Sequence, residues 1–148
     1  MGQRLQSRGA IAKFLVSDHQ RLEVLFRAAV ANPDQVDHES YTHFRAGLLR
    51  HIGMEEKILL PAIQQRQGGN AWPLAAKLRL DHGALASLLM SPPRPAIVAM
   101  LQTILEAHNE LEEGANGLYA AGDELVGPES EQLVARLKAA PLVSVMPY

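Results

Sequence analysis

Asp18-His19-Gln20-Arg21-Leu22-Glu23-Val24-Leu25 returns later in the chain as Asp81-His82-Gly83-Ala84-Leu85-Ala86-Ser87-Leu88, and His51-Ile52-Gly53-Met54-Glu55-Glu56 returns as His108-Asn109-Glu110-Leu111-Glu112-Glu113. The first pair shares Asp-His-x-x-Leu-x-x-Leu, the second shares His-x-x-x-Glu-Glu, and the two patterns alternate along the chain. The chain is therefore written twice on one plan. Residues four apart on a helix share a face one turn apart, so His51 with Glu55, and His108 with Glu112, form two-ligand claws.

Working outward from these motifs, apolar residues recur at helical spacing on every flank. Ile11, Leu15, Leu22, Leu25, Phe26 and Val30 mark a first helix within residues 8–31, ended by Asn32-Pro33-Asp34. Asp37 is the expected N-cap of a second helix that carries Phe44, Leu48, Ile52, Leu59, Leu60 and Ile63, contains Pro61 and stops at Gly68-Gly69. Asn70 is the expected cap of a third, through Leu74, Leu78, Leu85 and Leu89, which Ser91-Pro92-Pro93 closes. A fourth runs through Ile97, Leu101, Ile104, Leu105, Leu111 and Tyr119 to near Gly122. The expected fold is all-α: an up-down-up-down four-helix bundle over about 8–122, then a short amphipathic helical segment and tail over about 123–148 that pack on its outside.

Length and composition agree with one compact domain. The 148 residues support a single core, and the 47% apolar and 20% charged content is ordinary for a globular chain. Lys and Arg are dispersed among acids at a net charge of −2, which excludes a nucleic-acid face of the usual kind. There is no cysteine, so any metal must be held by nitrogen and oxygen. No stretch has the length and apolarity of a membrane span or the form of a secretory signal, and a cytoplasmic location is expected.

The motif residues fall on the apolar stripes. His51 lies with Phe44, Leu48, Ile58 and Leu59; His108 with Leu101, Leu105 and Tyr119; His19 with Leu15, Val16, Leu22 and Phe26; His82 with Leu78, Leu85 and Leu89. One inward histidine would be read as a hydrogen-bonded core residue. Four on four helices, two paired with a glutamate at the same offset, point to a metal site. Burying ionised carboxylates without partners costs several kcal/mol, and a pair of metal ions removes that cost. Imidazole and carboxylate donors suit iron, manganese or zinc.

In this order and spacing the motifs resemble the hemerythrin-like family, the HHE cation-binding domains, over roughly residues 12–120. The resemblance implies a non-haem di-iron centre with an oxo or hydroxo bridge, in which His19, His51, His82 and His108 are terminal ligands and Glu55 and Glu112 bridge. The oxygen-carrying members have a further histidine one turn after the third-helix ligand, where this chain has Ala86. A more open site follows, taking a small diatomic ligand (O₂ or NO) or peroxide, with redox handling of NO or peroxide as the implied chemistry. Donation of iron or repair of iron–sulfur clusters, and a structural metal-binding helical module, are the alternatives. Ala86 and Gly83 are places where a small molecule would have room.

Around this set, Glu23, Asp18, Asp81 and Tyr119 are candidates to support the ligands. Glu23 lies one turn after His19, the two aspartates precede ligand histidines, and Tyr119 lies on a ligand stripe. Glu56 and Glu113 are expected to face solvent, as are His38 and His43. No protein-docking motif is evident.

Overall fold

The computed structural model describes residues 8–148, and the regular elements among them are all helical. Helix α1 spans Ala10–Ala29 and α2 spans His38–Met54. A π-helical turn, Glu55–Leu59, joins α2 directly to α3, Leu60–Arg66. Then come α4, Pro73–Leu89; α5, Pro95–Glu113; α6, Leu118–Val126; and α7, Ser130–Lys138. No described helix is long and apolar enough to cross a membrane.

Local chemistry explains most boundaries. Asp37 caps α2 as expected, its carboxylate accepting from the Glu39 and Ser40 amides. Pro61 has no N–H to return to the carbonyl four residues earlier, and its ring crowds that carbonyl. The backbone upstream widens, and Leu60 N–H reaches back five residues to Glu55 O. Asn70 does not cap α4; its side chain donates to Gln67 O and closes the preceding turn, while Trp72 takes the N-cap position and Pro73 the first turn. Pro95, rather than Pro92 or Pro93, opens α5.

The expected fourth helix is two helices. It breaks after Glu113, and the chain turns through Gly114-Ala115-Asn116-Gly117 before α6 begins. A Cβ on Gly117 would stand 2.5 Å from Leu111 O and 2.7 Å from Glu112 O, so only glycine lets the chain pass this close over the end of α5. Helix α6 is tied down by Asp123, whose two carboxylate oxygens accept from the amides of Ile11 (2.9 Å) and Ala12 (3.1 Å) at the start of α1.

Two apolar clusters make up the interior. One gathers Ile11, Leu15, Met54, Leu59, Ile63, Leu78 and Leu118, and α7 adds Leu133, Val134 and Leu137 to it. The other gathers Leu22, Phe26, Tyr41, Phe44, Leu48, Leu85, Leu89 and Leu101. The C-terminal tail lies along α2: the buried Arg45 donates to Met146 O and stacks its guanidinium over the Tyr148 ring. Between the two clusters α1, α2, α4 and α5 each pass through one polar layer.

Candidate metal centre

That layer is made of His19, His51, Glu55, His82, His108 and Glu112. His19 lies between Leu15 of one cluster and Leu22 of the other, and His82 between Leu78 and Leu85 in the same way. All six are buried, and Glu55 and Glu112 are 0% exposed. Glu55 stands at the first position of the π turn, where the widened backbone sets its direction.

The six side chains form two sets of four that share both carboxylates: His19, His51, Glu55 and Glu112, and Glu55, His82, His108 and Glu112, with the ligating atoms of each set within 4.8 Å of one another. The carboxylates divide their oxygens. Glu55 Oε2 is 3.2 Å from His51 Nε2, while Glu55 Oε1 is 3.0 Å from His82 Nε2. Glu112 Oε1 is 3.1 Å from His19 Nε2, while Glu112 Oε2 is 2.9 Å from His108 Nε2 and 3.4 Å from His82 Nε2. Donor atoms held about 2.1 Å from a common ion and about 90° apart stand about 3 Å from each other, the spacing these atoms already have.

Each of the four histidines is oriented from behind. His19 Nδ1 donates to Glu113 Oε2 (2.6 Å), His51 Nδ1 to Asp18 Oδ2 (2.7 Å), His82 Nδ1 to Glu56 Oε2 (2.6 Å) and His108 Nδ1 to Asp81 Oδ2 (3.1 Å). A carboxylate can only accept, so the proton sits on Nδ1 and the Nε2 lone pair is left for the centre. The pattern repeats with the sequence: each aspartate orients the histidine of the next helix in its own half, and each glutamate following a shared carboxylate orients a histidine of the other half. A third layer of cations backs these acids, Arg21 on Asp18, Lys77 on Asp81, Arg79 beside Glu56 and Arg8 beside Glu113.

The electrostatics ask for positive charge at the middle. Burial pulls each imidazole pKa down, but the facing carboxylates outweigh it. His51 is raised to about 10 by Glu55 and Asp18, His82 to about 10 by Glu112, Glu55 and Glu56, and His19 and His108 are also raised. Burial pushes Glu112 up, yet its three histidine neighbours hold it well below the ordinary carboxylate range. Three atoms deep in the layer, Glu55 Oε1, His82 Nε2 and Glu112 Oε2, make no hydrogen bond although they are buried and close together. Their separation suits a shared cation and their directions do not suit one another, so the donor set fits a metal.

Tyr119, on α6, enters the same layer just after the turn at Gly117 and is 1% exposed. Its hydroxyl donates to Glu55 Oε2 at 2.7 Å. A cavity of about 230 Å³ reaches His19 from the side, walled by Leu22, Phe26, Phe44, Leu48 and Leu105, with Glu23 and Arg27 among the residues that line it.

All six expected ligands are thus brought together, and Asp18, Asp81 and Tyr119 touch them. Glu23 does not: it is exposed and pairs with Arg27 at 2.6 Å. Gly83 is exposed and a Cβ there would meet nothing, so it opens no space beside the layer. Glu56 and Glu113, expected in solvent, are half-buried histidine partners. The signal that could have found them was the second glutamate of His-x-x-x-Glu-Glu, present in both halves. His38 and His43 are exposed, as expected.

Searches against protein-family models, curated proteins and solved structures returned no match. The buried histidine and glutamate groups, which can hold metal ions, define the site.

Proposed function

We propose that the chain is a hemerythrin-like, non-haem di-iron protein, an up-down-up-down four-helix bundle that binds O₂, NO or peroxide at open metal positions. The observation that carries this reading is the division of Glu55 and Glu112, each placing one oxygen in each histidine pair. Two ions sharing two carboxylates account for both sets at once; one ion leaves half of the buried donors without a partner. The order in which the helices meet the two apolar clusters supports the bundle: α1 and α4 run from the first cluster to the second, α2 and α5 from the second to the first.

The residues divide the work. Four Nε2 atoms and two carboxylates hold the pair, four outer carboxylates keep Nδ1 protonated and the rings fixed, and the apolar clusters exclude water from both sides. Two redox-active ions, when bound, supply the reversible binding or reduction of a small ligand. The cavity that ends on His19 gives such a ligand a route inward.

The test is anaerobic loading with ferrous iron, followed by visible spectra under O₂, NO and peroxide. A ligand-specific spectral change with iron retained is expected. Rapid bleaching with loss of iron would instead support an iron donor, and a tightly held zinc indifferent to all three would support a structural site.

A further inference from the structure

The internal repeat is broken at one place in the layer. Tyr119 follows Glu112 by seven residues, and the position seven residues after Glu55 is Ala62, which is buried and offers no polar atom. The Tyr119 hydroxyl therefore belongs to one half of the site only. It stands 3.0 Å from His19 Nε2, 3.1 Å from His51 Nε2, 2.7 Å from Glu55 Oε2 and 3.1 Å from Glu112 Oε1. Those four atoms are one complete ligand set. A phenol hydroxyl donates one hydrogen bond and accepts at most two, fewer than these four contacts. Distances of about 3 Å to all four would let this oxygen join them on a common ion, were one bound there.

Among the described residues the opposite set has no such oxygen. The three unpartnered buried atoms of the layer, Glu55 Oε1, His82 Nε2 and Glu112 Oε2, all belong to it. Tyr119 is held where it is by two features outside the repeat, the close passage at Gly117 and the Asp123 carboxylate on the start of α1.

We propose that Tyr119 is a fifth protein ligand, through its phenol oxygen, to the ion held by His19 and His51, which makes the two ions inequivalent and leaves the His82 and His108 ion with fewer protein donors. This rests on the di-iron reading. On ligation to ferric iron the phenol O–H bond is replaced by a bond from oxygen to the ion, the proton leaves to solvent, and no electron is transferred.

The experiment is iron loading of the full chain, oxidation in air, iron counting, and resonance Raman in the visible for wild type and Tyr119→Phe. Wild type is expected to show a tyrosinate-to-iron charge-transfer band with enhanced ring modes, and Tyr119→Phe to lose both while keeping two irons. Should the variant fold poorly, wild type alone decides. The other two tyrosines are remote from the layer: Tyr41 packs against Phe44 in the second cluster, and Tyr148 packs against His38. Two bound irons without tyrosinate modes, or modes unchanged in the variant, would overturn the assignment and leave the di-iron reading standing. A wild-type chain that takes up no iron would overturn both.

Discussion

Glu56 Oε2 accepts a 2.6 Å hydrogen bond from His82 Nδ1, joining the residue next to one shared carboxylate to a histidine of the layer in the other half of the chain. Glu113 does the same for His19 at 2.6 Å. Each half of the sequence thus fixes a histidine of the other, and the two sets cannot form independently.

Neutralising these supports should weaken metal binding without removing a ligand. Glu56→Gln and Glu113→Gln are each expected to lower metal affinity by roughly 10–100-fold while the number of ions bound at saturation is unchanged. Competition with a chelator of known affinity measures this. Wild-type affinity in both variants would show that the outer carboxylates are incidental.

Proton competition should give the site a definite pH dependence. His51 and His82 are raised to about 10, above the unfolded value of about 6.5. Without metal, the stability these histidines contribute is fully present below about pH 6.5 and is lost as pH rises through about 10. Metal must displace the same protons, so its affinity rises over that interval. The metal-induced increase in thermal midpoint should therefore grow between pH 6.5 and 8.5, and loading near pH 7.5 should release at least two protons per chain. A metal-induced shift that is constant with pH would contradict this.

Gly117→Ala tests the close passage of the chain just before Tyr119. The new Cβ meets two backbone carbonyls, at 2.5 and 2.7 Å, which cannot move aside as a side chain would. A loss of about 1–3 kcal/mol is expected from overpacking of this kind. Chemical denaturation measures it, and a stability equal to wild type would mean that the backbone at Leu111 and Glu112 yields freely.

The sequence carried much of this and stopped at identifiable places. The six residues of the layer were legible because a four-residue offset on a helix is a fixed geometry, and because the repeat presented it twice. Glu56 and Glu113 were misread because a residue adjacent to a core position on an isolated helix points about 100° away; in the packed protein that direction meets the neighbouring helix instead of water. The break at Gly114–Gly117 was hidden because Leu111 and Tyr119 are spaced as on one continuous helix. Glycine's tolerance of close backbone passage outweighed that spacing. The π turn at Glu55 follows from Pro61, whose effect falls on the residues before it.

The most direct measurement is the number of iron ions retained per chain after chelator washing, in wild type and in the double variant Glu55→Ala, Glu112→Ala. Two per wild-type chain and fewer than two in the double variant are expected, since each carboxylate serves both sets. One ion or none in wild type, or two in the double variant, would contradict a metal pair held between shared carboxylates.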